Sequence, residues 1–157
     1  MRVQDVMTDT PRACSVHDSA NAAARIMWEQ DCGAVPVVGD DGRVAGIVTD
    51  RDICMAAYFQ GLPLSAIPVA KIMSPDVCTC HAEDELMQAE RLMRERQVNR
   101  LPVVRDGQML VGMLSLCDVT QGVKRVGGLR QKNPEGQELL ETVAAIREPR
   151  QSHSVAS

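Results

Sequence analysis

Apolar positions in the second half of the chain follow two different periods, which together predict a mixed α/β fold. Leu86, Ala89 and Met93 recur at spacings of three and four, so they share one face of a predicted helix. The largely apolar run RLPVVR follows, and a polar turn containing Asp-Gly separates it from a second run, LVGMLS. Asp-Gly between two such runs predicts a β-hairpin. A second helix is expected to begin after Ser115.

The same order of segments occurs twice, with an offset of 66 residues that matches Met7 to Met73. One residue is lost at the predicted hairpin turn and one is gained before Gly112, which restores the offset. As a result, GIVTDRD at 46–52 recurs as GMLSLCD at 112–118. Both copies have a glycine at the first position, a hydroxyl side chain at the fourth and an aspartate at the seventh. The offset also pairs Cys14 with Cys80, Asp18 with Asp84, Ala23 with Ala89, Arg25 with Arg91, Met27 with Met93 and Glu29 with Glu95.

Each copy is predicted to fold as β-α-β-β-α. Its first helix is expected to begin near Asp18 or Asp84, because aspartate favours the N-cap position. A short strand within ACSV or VCTC precedes that helix. A unit of roughly 55 residues is small for a core of its own. We therefore expect the two copies to pack together with pseudo-two-fold symmetry.

The predicted organisation is two repeats joined by a linker and followed by a tail. Gly61 and Pro68 mark the linker. The tail contains an amphipathic segment with Leu139, Val143 and Ile146 on one face. We expect the repeats to close their core without the tail. The predicted boundaries are 1–58 for the first repeat, 59–68 for the linker, 69–126 for the second repeat and 127–157 for the tail, with a short helix over 134–147.

Composition argues against several classes of function. Only three residues are aromatic, so nucleic-acid bases have few side chains on which to stack. The net charge of −4 argues against a general DNA or RNA surface. No apolar stretch is long enough for a signal peptide or a membrane span. We therefore expect a cytoplasmic protein with reduced cysteines that binds neither nucleic acid nor membrane.

The repeated pattern resembles a tandem pair of CBS domains, a Bateman module, over about residues 1–125. The resemblance rests on two copies in register of Leu/Val-Pro-Val-Val, a turn, and a glycine followed by Thr/Ser-x-x-Asp. It implies a regulatory module that binds adenosine-containing ligands (AMP, ADP, ATP or S-adenosylmethionine) in clefts between the repeats. It also implies that the hydroxyls of Thr49 and Ser115 face phosphate and that Asp52 and Asp118 hold the ribose hydroxyls.

Thr49 and Asp52 also fit a simpler interpretation, as do Ser115 and Asp118. Thr-x-x-Asp is the pattern of a capping box, which closes the first turn of a helix and has no ligand. However, the start of a helix offers free N–H groups and a positive dipole end to a phosphate, and a carboxylate can accept from ribose hydroxyls. Capping and binding are compatible, because a cap can turn towards a ligand.

The surroundings of the two motifs differ. Cys32 and Gly33 precede the first strand proline, so the wall of the first site is expected to be small and uncharged. Arg100 is a good phosphate ligand and favours the second site, and Arg51 is a candidate at the first. For both arginines a solvated surface charge is an equal alternative. The resemblance also places at the ligand the residues Ala34, Pro36, Leu101, Pro102, Cys14 and Cys80.

No catalytic arrangement is recognisable, and neither a cofactor nor a metal is expected. A P-loop, a G-x-G-x-x-G fingerprint and a carboxylate–histidine set are all missing. Cys78, Cys80 and His81 are poorly spaced for zinc. We therefore predict a regulatory module and not an enzyme; the resemblance implies a homodimer formed through the helices, which acts on an unknown effector protein in trans. The alternatives are a structural or interaction scaffold, whose motifs are only caps, and a thiol- or metal-responsive sensor.

Overall fold

The computed structural model describes residues 1–125 and 134–147. A 3-10 turn at Val3–Asp5 and strand β1 (Thr8–Asp9) open the chain. The first repeat contains β2 (Cys14–Ser15), α1 (Ala20–Glu29), β3 (Ala34–Val38), β4 (Val44–Thr49) and α2 (Asp50–Gln60). A 3-10 turn at Leu64–Ala66 and α3 (Val69–Ile72) lead to the second repeat, which contains β5 (Cys80–His81), α4 (Leu86–Arg96), β6 (Arg100–Arg105), β7 (Met109–Ser115) and α5 (Leu116–Arg125). Helix α6 (Pro134–Arg147) is the last described element.

The two repeats have the same strand topology. In each, the first strand runs parallel to the second, and the second pairs antiparallel with the third. The hairpins turn at Gly42 and Gly107, whose φ angles of +76° and +74° suit glycine. A register shift interrupts both hairpins at equivalent places, Val37/Val38 and Val103/Val104. The predicted hairpins and the β-α-β-β-α order are therefore confirmed.

The aspartates that were expected to cap the first helix of each repeat hold the preceding turn instead. The N-caps are the following residues, Ser19 and Glu85. Asp18 accepts a hydrogen bond from the Ser15 N–H at 2.9 Å. In the second repeat, Asp84 accepts from the His81 N–H at 2.8 Å. A short acidic side chain can accept from a backbone N–H three residues earlier as well as from one inside the helix. Here both aspartates accept from the N–H of the preceding turn.

The segments that precede the two repeats pack on each other's repeat. The Val3 N–H donates to the Asp84 carbonyl (3.0 Å), and 66 residues later the Val69 N–H donates to the Asp18 carbonyl (2.8 Å). β1 pairs with β7, in the second repeat. The first helix of each repeat is hydrogen-bonded in the same reciprocal way. The Leu86 N–H of α4 donates to the Met1 carbonyl (2.9 Å), and the Ala20 N–H of α1 donates to the Ile67 carbonyl (2.8 Å). The two repeats are thus joined by reciprocal backbone hydrogen bonds.

This exchange also shapes the two aliphatic cores. Val3 is fully buried in the core of the second repeat, among residues such as Leu101 and Leu114. Ile67 and Val69 are fully buried in the core of the first repeat. Because each core contains side chains from the segment before the other repeat, neither core is complete without that segment.

Helix α6 belongs to the second core, so the expectation that the repeats close their core without the tail is wrong. Leu139 is 3% exposed within that core, and Val143 and Ile146 pack against it. The three apolar residues therefore share the buried face that their spacing predicts. The flank of α6 carries Glu138, which pairs with Arg91 at 3.4 Å and with Arg94 at 3.2 Å. Helix α6 thus packs on the second repeat through its apolar face, and the Glu138 carboxylate on its flank pairs with arginines of α4.

Candidate functional site

The first Thr-x-x-Asp motif lies where β4 ends and α2 begins. The N–H and the hydroxyl of Thr49 both donate to Oδ2 of Asp52, at 2.8 and 2.7 Å. The Asp52 N–H donates back to the Thr49 oxygen at 3.2 Å. This is a capping box, and it places a half-buried carboxylate in the first turn of α2, where the helix dipole favours negative charge.

The second motif has the same geometry where β7 ends and α5 begins. The N–H and the hydroxyl of Ser115 donate to Oδ2 of Asp118 at 2.8 and 2.6 Å, and the Asp118 N–H donates to the Ser115 oxygen at 3.2 Å. In both motifs these bonds end on a single carboxylate oxygen, so the other oxygen stands outside the box. The capping interpretation therefore holds for both motifs.

Arg100 connects the second repeat to the first. Its backbone pairs with Ser115 across the β6–β7 hairpin. Its guanidinium, however, extends to the first repeat, where Nη2 lies 3.6 Å from the position that a Cβ on Gly33 would occupy. The Asp50 Oδ2 atom lies 3.0 Å from the same position. The expectation of an uncharged wall at the first site is wrong, because the small residues there admit an arginine from one repeat and an aspartate from the other.

A cleft of about 480 Å³ opens at this place, between the end of α1, the start of α2 and Arg100. Asp50 could have been noticed in the sequence, since it directly follows Thr49. Trp28 gave no such signal, because its position at the cleft depends on how α1 packs. The cleft is lined by Met27, Trp28, Asp31, Cys32, Gly33, Asp50 and Arg100.

The glycine of each repeated motif leaves space beside the backbone, and a methionine side chain packs into that space. A Cβ on Gly46 would lie 2.6 Å from the Met73 sulfur, and a Cβ on Gly112 would lie 2.6 Å from the Met7 sulfur. Both methionines belong to the exchanged segments. The matched Gly–Met pairs therefore lock each segment onto the other repeat's hairpin, beside the capping boxes.

The remaining candidate residues lie on strands β2, β3, β5 and β6 and at the start of α2. Arg51 is exposed near the N-terminus of α2. The structure does not test the ligand contacts predicted for these residues, which stay predictions. Those on the strands are all buried: Ala34, Pro36, Leu101, Pro102, Cys14 and Cys80.

The two equivalent cysteines, Cys14 and Cys80, are core residues. Burial raises the pKa of the Cys14 thiol to about 11 and that of the Cys80 thiol to about 12. Burial also raises the pKa of the neighbouring Cys78 thiol. Thiols with raised pKa values stay protonated at neutral pH and are poor nucleophiles and poor metal ligands. Among residues 1–125 and 134–147, no group of three or more His, Cys, Asp or Glu side chains is arranged to hold a metal ion.

Comparison with known proteins identifies the family. The sequence model of the CBS domain matches residues 3–58 and 69–125, which together make up more than half of the chain. The chain belongs to the CBS domain family. Its mixed α/β fold with two CBS repeats is therefore as expected from the sequence. Within the described ranges, no CBS helix has the length and hydropathy needed to cross a bilayer.

Several CBS proteins resemble this chain along most of their length. Hypoxic response protein 1 of Mycobacterium tuberculosis is 30% identical over 118 residues, 75% of this chain and 82% of that protein. The CBS domain-containing protein YhcV of Bacillus subtilis is 35% identical over 117 residues, 74% and 81% of the two chains. The crystal structure of Hypoxic Response Protein I contains two coordinated zinc ions and matches with a TM-score of 0.70, 30% identity and 77% and 98% coverage. The structure of CBSX2 in complex with AMP matches with a TM-score of 0.70, 25% identity and 80% and 97% coverage.

Proposed function

We propose that this protein is a regulatory module that binds an adenosine nucleotide between its CBS repeats and catalyses no reaction. The observation that carries the proposal is the pair of identical Thr/Ser–Asp boxes at two strand-to-helix junctions, with the Arg100 guanidinium reaching from one repeat to the other. A related CBS protein, CBSX2, holds AMP. The proposal assigns that class of ligand to this chain.

Each part of a motif would have a separate role in binding. The carboxylate oxygen outside the capping box would accept from the ribose hydroxyls, and Asp52 and Asp118 can do so without giving up the cap. The hydroxyl and the helix N-terminus would face the phosphate. Arg100 would pair with that phosphate across the boundary between the repeats, which would couple ligand binding to their relative position.

The two sites would not be equivalent. Asp50 stands at the start of α2, and its equivalent at the start of α5 is Leu116. A carboxylate beside the phosphate seat repels a phosphorylated ligand. The Arg100 guanidinium near Asp50 offsets part of this repulsion at the first site. Because the residue equivalent to Asp50 at the second site is uncharged, we place the tighter phosphorylated ligand at Ser115 and Asp118.

The output of the module would be a change in affinity for another protein. Binding would favour one arrangement of the repeats, and that arrangement would be recognised by an effector protein in trans. We propose that the module acts as a homodimer in the cytoplasm. A scaffold without ligand and a zinc- or thiol-responsive sensor are the rival functions that the test below separates.

Titration calorimetry with AMP and melts without ligand test the proposal. Asp118→Ala should lose tenfold or more in AMP affinity, since hydrogen bonds to a charged group contribute about 1.5–3 kcal/mol each. Losing the cap should cost only about 0.5–2 kcal/mol of folding free energy. Asp52→Ala should weaken binding less than Asp118→Ala does if the second site is the tighter one.

Asp5→Ala is the matched control, because Asp5 also accepts a backbone N–H three residues earlier (Arg2, 2.7 Å) but lies outside the motifs. It should bind AMP as the parent does. If both motif variants melt early and still bind AMP as tightly as the parent, the aspartates are caps alone. If AMP and other adenosine ligands give no heat, the scaffold remains, unless zinc raises the melting temperature, which would favour the sensor.

A further inference from the structure

Helix α6 covers a groove between the two helices of the second repeat. It packs on both α4 and α5. Arg94 of α4 donates to Glu141 of α6 at 3.2 Å, and Gln97 Nε2 donates to the Ala145 carbonyl at 3.3 Å. Two apolar residues of this groove pack against the core cluster that also receives the apolar face of α6. We call the groove residues the α6 site: Arg91, Arg94, Gln97, Val98 and Leu116.

The offset of 66 residues places an equivalent groove on the first repeat. There Trp28 is 88% exposed, and Asp31 and Asp50 are exposed where Gln97 and Leu116 are partly buried. Within residues 1–125 and 134–147, no helix lies over this groove as α6 lies over its equivalent. Four of its five residues line the cleft of about 480 Å³. We call these residues the first groove: Arg25, Trp28, Asp31, Cys32 and Asp50.

We propose that the first groove binds a helix of the effector protein, in the way that the α6 site binds α6. This inference rests on the effector protein of the proposed function, and it names the docking surface and the chemistry of the partner. The protein contains its own example of the contact, because the same backbone plan already receives a helix in the second repeat. The occupant is therefore an amphipathic helix with one apolar face, like that of α6.

The charges of the first groove define the partner helix further. Arg25 has the place of Arg91, which pairs with Glu138, so the partner needs an acidic residue near the start of its helix. At the other end of the groove, Asp31 and Asp50 replace uncharged residues. Two carboxylates repel the negative end of a helix dipole, unless the last turn of that helix carries Lys or Arg. The expected partner helix is thus acidic at its start and basic at its end.

Trp28 is the expected centre of the contact. It occupies the position of Arg94, and an exposed indole offers a large apolar surface at a small cost in side-chain entropy. Tryptophan is enriched among the residues on which binding energy concentrates, and these residues lie near the middle of an interface. The apolar face of the partner helix would cover the indole, while its charged ends pair with Arg25 and the two aspartates.

A synthetic peptide of residues 134–147 is a suitable probe, because its sequence has acids in the first half and ends on arginine. Trp28 is the only tryptophan of the chain and the peptide has none, so the emission of the full-length protein reports on the first groove. So short a peptide is only partly helical in water, so it is titrated to millimolar concentration. The emission should shift to shorter wavelength and saturate. A peptide with Leu139→Glu should cause no shift, and an unshifted parent would overturn the proposal.

Calorimetry with two pairs of matched variants locates the contact. Trp28→Ala should raise the dissociation constant of the peptide by about tenfold or more. Phe59→Ala, which removes another exposed aromatic ring outside the cleft, should bind the peptide as the parent does. Arg25→Glu should weaken binding by about tenfold, since it puts like charges together. Arg43→Glu, which alters an exposed arginine at a hairpin turn, should have no such effect. Equal responses within either pair would overturn the proposal.

Nucleotide binding is measured separately. Arg25 does not line the cleft, so Arg25→Glu should bind AMP as the parent does. A parent that binds the peptide but not AMP would contradict the proposed ligand and leave the first groove as a docking surface. A parent that binds AMP and gives no signal with the peptide would contradict the docking surface alone.

Discussion

The two repeats share a backbone plan but differ in what lies on their helices. Six large hydrophobic side chains are exposed in the described residues, and five of them belong to the helices and linker of the first repeat. In the second repeat, Leu139 of α6 packs in the core, and Glu138 pairs with two arginines of α4, Arg91 and Arg94. The two repeats therefore share their strands and capping boxes, whereas α6 packs on the helices of the second repeat.

The two repeats also depend on each other. Each one is closed by the segment that precedes the other, through Val3 in one direction and Val69 in the other. A substitution in one segment should therefore destabilise the repeat on which that segment packs, and not the repeat that follows it in sequence. Two of the following predictions use this feature and the covering by α6 to distinguish the repeats.

The largest effect should come from the covering helix. Leu139→Ala removes a nearly fully buried side chain and should cost about 2–5 kcal/mol of unfolding free energy. The control on the same helix is Glu141→Ala, which breaks an exposed ion pair with Arg94 and should cost no more than about 1 kcal/mol. Urea melts followed by circular dichroism measure both. Equal, small losses for the two variants would mean that the second repeat closes its core without α6.

The exchanged segments should give a smaller effect that appears in the opposite repeat. Val3→Ala and Val69→Ala each remove two buried methyl groups, which should cost about 2 kcal/mol. Hydrogen exchange followed by mass spectrometry should show faster exchange in β6 and β7 for Val3→Ala, and in β3 and β4 for Val69→Ala. If each variant loosens only the repeat that follows it in sequence, the reciprocal packing is not what holds the cores together.

The smallest effect is an alkaline loss of stability that both repeats should share. The folded pKa values of Cys14 and Cys80, about 11 and about 12, lie above the ordinary value of 9.0. The unfolded chain therefore releases these protons first. The resulting stability is fully present below pH 9 and is lost as the pH rises through the folded values. At pH 10 each thiol should account for about 1 kcal/mol of the loss.

Melts of the parent, Cys14→Ala and Cys80→Ala between pH 8 and pH 10 measure this loss. Each variant should lose less stability over the interval than the parent does. Parallel losses in all three proteins would show that other groups cause the alkaline destabilisation.

Much of the fold could be predicted because it depends on local patterns. The hairpins follow from Asp-Gly turns between apolar runs, and the boxes at Thr49 and Ser115 follow from a spacing of three at a helix start. The N-caps were misplaced by one residue because Asp18 and Asp84 can satisfy either a turn or a helix, and the sequence does not rank the two.

Only part of the candidate site could be predicted, because only that part depends on local patterns. Thr49, Asp52, Ser115 and Asp118 are named by a repeated motif. Their surroundings are set by side chains that arrive from other elements, such as Arg100 beside Gly33. Spacing along the chain does not report the distance between residues of two different repeats.

By itself the sequence determined the duplication, the order of elements in each repeat and the four motif residues. All of these depend on contacts between near neighbours in the chain, or on comparison of one half with the other. Only the tertiary structure decided that residues 1–3 close the second repeat, that α6 covers it, and that Arg100 reaches the first. These contacts join segments that are distant in the chain. They depend on how the apolar side chains are divided between the two cores.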